Sequence, residues 1–115
     1  MNTVFLMDVS INTSLGMNMG AARFISRHFR PGDGVILFDD QALALDFRGN
    51  PTYEDIMNVA RRRIGACTGL PDAIFLALKL YQSSRKIIIG SGAWTENCPH
   101  HPYEEILLTE SGKRK

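Results

Sequence analysis

The segment Phe5-Leu6-Met7-Asp8-Val9-Ser10-Ile11-Asn12 joins an apolar run to three polar residues at alternate positions. An apolar run of this kind is typical of a central parallel strand that is buried on both faces. Asp8, Ser10 and Asn12 then follow at the carboxyl end of the strand, where ligands of open α/β sheets bind. Carboxylate, hydroxyl and amide oxygens are the ligands that a hard cation such as Mg2+ prefers. The same residue types also favour a simple Asx or Ser turn, so the segment alone leaves both interpretations open.

Length and composition indicate one globular domain that spans residues 1–115. Apolar residues make up 44% of the chain and charged residues 22%, and no apolar run approaches the ~20 residues of a membrane helix. The two cysteines, Cys67 and Cys98, fit a reducing compartment, and no basic segment precedes the first apolar run as in a secretory signal. A formal net charge of +1 provides no general attraction to nucleic acid or membranes. We therefore expect a cytoplasmic protein that contacts neither.

Strand and helix patterns alternate along the chain. After the first strand we predict a helix capped by Thr13 or Ser14, strands at 35–38 and 42–47, helices from Thr52 and from Pro71, a strand at 86–90 and a candidate last strand at 106–108. The connection 39–41 is short enough for an antiparallel hairpin. The helix from Pro71 is apolar nearly all round, so we expect it to be heavily buried. The fold class is therefore α/β, a Rossmann-like open, mostly parallel sheet with helices on both faces and one antiparallel edge hairpin.

The order of these segments resembles that of the von Willebrand factor A domain family. That family begins with a strand ending in Asp-x-Ser-x-Ser, and Asp8, Ser10 and Asn12 occupy the corresponding positions here. Its Pro-Gly-Asp lead into the second strand is similar to Pro31-Gly32-Asp33. Its threonine, in a loop of small residues before the third helix, corresponds to Thr68. The resemblance implies that Asp8, Ser10, Asn12 and Thr68 form the rim of the family's metal-ion-dependent adhesion site.

The resemblance implies a truncated family member with a core at about 3–92, followed at 93–115 by a loop, a candidate last strand and a basic tail. Ser91 stands where the fourth strand of the family ends in an aspartate, and an alternative alignment places Glu110 there. Because Asn12 also replaces the last serine of the first motif, the implied adhesion site is degenerate. The implied function is non-enzymatic protein binding through Mg2+, with an acidic residue of the partner completing the coordination. The short sheet would also leave an edge through which copies of the chain could associate.

Other functions are compatible with the same residues. A metal-dependent hydrolase or nuclease of the PIN-like kind also begins with a strand that ends in an aspartate, and there Asp8 would join Asp39, Asp40 or Asp72 to activate water. A scaffold that has lost its metal is a third hypothesis. Asp72 and Trp94 are candidate binding residues near the predicted ligand edge, although Trp94 suits core packing equally well.

Two further clusters carry ligand-type or basic side chains. Cys98, His100 and His101 are of the types that bind zinc, but they form one short cluster without the paired spacing of structural zinc sites. A polar loop is the simpler interpretation. The runs 61–63 and 113–115 are basic, and with a near-neutral chain they are interpreted as a solvated helix end and tail.

Overall fold

The structure is a computed structural model, and it describes residues 2–47, 49–62, 65, 69–82, 84–96 and 103–115. Within these ranges the chain forms five strands, three α-helices and a short 3-10 helix: β1 Thr3–Asp8, α1 Leu15–His28, β2 Gly34–Phe38, β3 Ala42–Leu45, α2 Tyr53–Ala60, α3 Leu70–Leu80, β4 Arg85–Gly90, the 3-10 helix Ala93–Glu96 and β5 Glu104–Leu107. None of the helices in the described ranges has both the length and the apolar character to span a bilayer.

The strands form one sheet in the order β3-β2-β1-β4-β5. β1 pairs in parallel with β2 and with β4, and β4 pairs in parallel with β5, whereas β2 and β3 form an antiparallel hairpin. The predicted open, mostly parallel sheet with one antiparallel edge pair is therefore confirmed. Because Asp8 is in register with Phe38, the carboxyl ends of β1 and β2 lie side by side.

Both faces of the sheet are covered, as the sequence predicts. α1 and α2 pack against one face, over a cluster that includes Phe5 and Met7 of β1. α3 packs against the other face, over a cluster that includes Val4 and Leu6 of the same strand. The side chains of β1 alternate between the two clusters, which explains why this strand is apolar at consecutive positions.

The helix starts are set by local hydrogen bonds at positions that the sequence indicates. The Ser14 hydroxyl accepts a hydrogen bond from the Met17 N–H at 3.1 Å and caps α1. Thr52 and Asp55 form a reciprocal capping box at the start of α2. Pro71 lies in the first turn of α3, where its missing N–H costs no helical hydrogen bond.

The prediction that α3 is heavily buried is wrong. The helix contacts the sheet through a narrow stripe formed by Leu70, Ala73 and Ala77. Phe75 on its outer side is 69% exposed, and Leu78 and Leu80 are exposed as well. The physical reason is the layer count, because α3 is the outermost element on its face within the described residues and only one side of it can meet the sheet.

The C-terminal segment folds back onto α1 instead of extending as a free basic tail. The candidate last strand is present, two residues earlier than predicted, as β5. Beyond it the Ser14 hydroxyl donates a hydrogen bond to the Glu110 carbonyl at 2.8 Å. Gly112, with φ +85°, lies so close to Gly20 that a Cβ at Gly20 would be 2.7 Å from the Gly112 Cα. Glycine at these positions therefore permits the backbone of the tail to approach the helix directly.

Candidate functional site

Asp8 is the last residue of the central strand, and its carboxylate is almost completely enclosed. The side chain is 1% exposed. Its Oδ1 accepts a hydrogen bond from the Ser10 N–H at 2.9 Å, whereas its Oδ2 is buried and has no hydrogen-bond partner among the residues that the structure describes. Buried polar atoms nearly always have a hydrogen-bond partner, so a buried carboxylate oxygen without one requires an explanation such as a bound ion.

Burial raises the pKa of the Asp8 carboxyl above its ordinary value, because a charged group loses hydration in the interior. Hydrogen bonds from the backbone and the hydroxyl of Ser10 act in the opposite direction and favour the carboxylate form. The negative charge of Asp39 raises the pKa of Asp8 further. Within the described part of the chain, the charge that acts on the Asp8 carboxyl is thus negative and not positive.

Asp39 is the second buried carboxylate at this edge of the sheet. It directly follows β2, is 5% exposed, and accepts a hydrogen bond from the Gln41 N–H at 2.9 Å. From the sequence, Asp39 is predicted only as one of the acids of the hydrolase alternative. The signal that points to it is its position, because Asp39 ends one apolar strand as Asp8 ends the neighbouring parallel strand.

Ser10 and Asn12 occupy different environments. Ser10 is 3% exposed and forms an isolated parallel bridge with Gly65, which brings Gly65 to the end of β1. The Asn12 N–H donates to the Ser10 hydroxyl at 3.3 Å, and the Asn12 side chain is exposed. The local turn expected from these residue types is therefore present, and it holds Ser10 beside Asp8.

Two glycines, Gly65 and Gly90, lie directly against the acidic side chains at this end of the sheet. A Cβ at Gly65 would lie 2.6 Å from both the Asp39 Cγ and the Asp40 Oδ1. A Cβ at Gly90 would lie 2.8 Å from the Asp8 Cβ. Any larger residue at either position would displace an acidic side chain, so Gly65 and Gly90 both contact the site through backbone atoms.

The structure gives less information about the remaining predicted site residues, Ser91, Thr68 and Asp72. Ser91 immediately follows Gly90, and its hydroxyl accepts a hydrogen bond from the Ala93 N–H at 3.2 Å. Thr68 lies outside the residues that the structure describes. Asp72 lies in the first turn of α3 with its side chain exposed, and the described contacts do not join it to Asp8.

Trp94 is a core residue, which corrects its prediction as a binding residue. Its side chain is 0% exposed, and its ring packs edge-on against Phe38 at a centroid distance of 6.4 Å. Its indole Nε1–H donates to the Glu105 Oε1 at 2.9 Å, which joins the 3-10 helix to β5. The side chain is thus enclosed under α3 and does not form a contact surface.

Oxygen atoms of the type that Mg2+ prefers are buried near the carboxyl ends of β1 and β2. They are the unpartnered Asp8 carboxylate oxygen, the Asp39 carboxylate and the Ser10 hydroxyl. One or two carboxylates with hydroxyls and water are a usual set for this ion, so these residues fit it. No group of three or more His, Cys, Asp or Glu suited to a metal occurs among the described residues. The zinc-type residues Cys67, Cys98, His100 and His101 lie outside the described residues, as does Arg63 of the basic run.

No protein-family model matches the chain, and neither the curated proteins nor the solved structures contain a match.

Proposed function

We propose that this protein is a non-enzymatic protein-binding module of the von Willebrand factor A type, which binds its partner through Mg2+ at a degenerate adhesion site. The observation that carries the proposal is the buried and unpartnered Asp8 Oδ2 at the end of the central strand. A buried charge without a counter-charge destabilises the fold, and a cation at this oxygen would offset that cost.

The family part of the proposal depends on the sequence resemblance, and the mostly parallel sheet with Asp8 at the end of its central strand is compatible with it. Ser10 and Asp39 would hold the ion with Asp8, and Ser91 and Thr68 would complete its rim. With few protein carboxylates the ion keeps an open position, which an acidic side chain of a protein partner would fill. Association of copies through β3 or β5, the two outer strands, belongs to the same proposal.

Calorimetric titration of Mg2+ and Mn2+ into metal-free protein tests the ion. Saturable binding is expected in the wild type and should be lost in Asp8→Ala. Asp46→Ala is the matched control, because it removes the same charge from an exposed residue just beyond β3. β3 runs antiparallel to β2, so Asp46 lies near the amino end of β2, whereas Asp8 lies beside its carboxyl end. Binding that survives in Asp8→Ala, or that is absent from the wild type, would contradict a metal at this position.

The protein-binding part is tested by affinity capture in Mg2+ and in EDTA. The proposal requires a bound protein that is retained by the wild type and Asp46→Ala in Mg2+ but is lost in EDTA and with Asp8→Ala. Capture that is independent of both Mg2+ and Asp8 would favour instead a scaffold that has lost its metal.

A metal-dependent hydrolase is the second candidate, and the proximity of Asp8 and Asp39 is the observation that favours it. Two neighbouring carboxylates can hold an ion that activates water. Hydrolysis of a single-stranded oligonucleotide in Mn2+, lost in Asp39→Asn, would favour this function over the binding module.

A further inference from the structure

A groove on the α1 face of the sheet lies far from the carboxylate site. It consists of a cavity of about 510 Å3 and a neighbouring cavity of about 170 Å3, and the two share Phe24, His28, Ile106 and Arg114. Its deeper part is lined by residues at the amino ends of β1, β4 and β5, whereas Asp8 ends β1. At ~3.3 Å per residue, the length of β1 separates the two sites by about 17 Å.

Positive charge is concentrated along this groove. Five arginines line the two cavities: Arg23, Arg27, Arg30, Arg85 and Arg114. These are five of the nine arginines of a chain whose net charge is only +1. Asp33, Glu104 and Glu105 line the same groove, which therefore has both charge signs with arginine in excess. A concave surface with an excess of one charge attracts ligands of the opposite sign.

The acidic residues in the groove already accept hydrogen bonds or form an ion pair within the fold. The Asp33 carboxylate accepts hydrogen bonds from the backbone N–H groups of Thr3 at 2.8 Å and Arg30 at 2.9 Å. Glu104 forms an ion pair with Arg85. Glu105 accepts from Trp94, which lies under the opposite face of the sheet.

Three arginines therefore remain available to a ligand. Arg27, Arg30 and Arg114 have exposed side chains, and none of them forms an ion pair within the described part of the chain. Arg23 is directed toward α2, with its guanidinium 5.9 Å from the centre of the Tyr53 ring. The unpaired charge thus lies along the groove, between the end of α1 and the C-terminal tail.

The groove also has an apolar component. Phe24 is half-buried and packs against His28 with a ring-centroid distance of 4.2 Å, and Ile106 and Leu108 lie beside them at the sheet. A ligand that fits must therefore combine negative charge with an apolar group. We propose that the groove binds an extended acidic segment of a partner protein, with carboxylates on Arg27, Arg30 and Arg114 and an apolar side chain against Phe24.

A nucleic acid fits this surface less well than an acidic peptide. Nucleic-acid sites on proteins depend on several phosphate contacts in a row, and single strands also require exposed aromatic faces for base stacking. The groove offers one half-buried phenylalanine and a short set of arginines. An oligonucleotide is therefore the competing ligand in the experiment.

Fluorescence anisotropy with a labelled peptide of glutamates and interspersed leucines tests the proposal directly. The titration is made in EDTA at physiological ionic strength, so that its result is independent of the metal site and surface charges are screened. Two comparison ligands are the same peptide with glutamine in place of glutamate, and a single-stranded oligonucleotide of equal length. The variants are Arg27→Glu and Arg114→Glu, and Arg62→Glu is the matched control because it reverses an exposed arginine outside the groove.

The proposal predicts saturable binding of the acidic peptide, with affinity reduced about fivefold or more by Arg27→Glu alone and by Arg114→Glu alone. The control Arg62→Glu should stay within about twofold of the wild type, and the glutamine peptide should not bind. Equal losses in the control and the groove variants would show general charge attraction and overturn the proposal. Tighter binding of the oligonucleotide, or no binding of the acidic peptide, would overturn it as well.

Discussion

Replacing Gly20 by alanine tests whether the C-terminal tail is an integral part of the fold. Gly20 lies in the middle of α1, where alanine is normally the better residue by about 1 kcal/mol. Here the new Cβ would lie 2.7 Å from the Gly112 Cα and 2.8 Å from its carbonyl carbon. Non-bonded carbon atoms prefer roughly 3.5 Å or more, so the tail must move outward by roughly 0.8 Å.

The expected cost follows from the contacts that hold the tail. Overpacking of this kind costs about 1–3 kcal/mol when the backbone cannot yield. If the tail separates instead, it loses the hydrogen bond from Ser14 to Glu110 and that from the Lys115 N–H to the Leu107 carbonyl, at about 1 kcal/mol each. After the gain in helix propensity is subtracted, we expect Gly20→Ala to lower the free energy of unfolding by about 1 kcal/mol and at most about 2 kcal/mol.

Urea unfolding monitored by the fluorescence of the buried Trp94 measures this change. The matched control is the same substitution in a chain that ends at Leu108, where no tail opposes the Cβ. There Gly20→Ala should raise the free energy of unfolding by up to about 1 kcal/mol. A reversal of sign between the two backgrounds is the signature of the contact. If Gly20→Ala stabilises the full chain and the shortened chain equally, the close packing of the tail on α1 is refuted.

Three other changes have defined outcomes. Asp8→Asn in EDTA should be more stable than the wild type above the ordinary carboxyl pKa of about 3.9, and the difference in the free energy of unfolding should grow as pH rises. The reason is that the pKa of Asp8 is raised by folding, so ionisation of Asp8 destabilises the wild type, whereas in acid the group is neutral. A stability difference that does not change with pH would contradict this. Trp94→Phe should cost about 1–3 kcal/mol in urea unfolding, through the lost hydrogen bond to Glu105 and the smaller ring; a neutral effect would contradict its core role. A double-mutant cycle on Arg85 and Glu104 should give a coupling below about 1 kcal/mol, since both side chains are half exposed; a larger value would indicate a shielded pair.

The elements that the sequence predicts well are those with local causes. The caps at Ser14 and Thr52 depend on side chains within three residues, so their residue types indicate the helix starts directly. The strands around Asp8 and Ile89 are continuous apolar runs, which are typical of a sheet covered on both faces. The burial of α3 could not be predicted in the same way, because the exposure of Phe75 depends on how many layers cover it.

The residues of the candidate site also fall into those with local causes, which the sequence indicates, and those that only the fold brings together. The sequence indicates Asp8 and Ser10 because both belong to one short segment at a strand end. Asp39 is more than thirty positions away, and only the parallel register of β1 and β2 brings it beside Asp8. The environment of Trp94 likewise could not be predicted from the sequence, because its hydrogen-bond partner Glu105 belongs to the distant strand β5.

By itself, therefore, the sequence determines the alternation of strands and helices and the presence of an acidic residue at the end of the first strand. These features follow from side-chain periodicity and capping, which act over a few residues. Tertiary structure alone decides that two carboxylates share one buried edge, that arginines from α1 and from the C-terminal tail line one groove, and that Gly20 meets Gly112. The physical reason is that burial, pairing and close approach depend on groups that are distant along the chain and adjacent only after the sheet has formed.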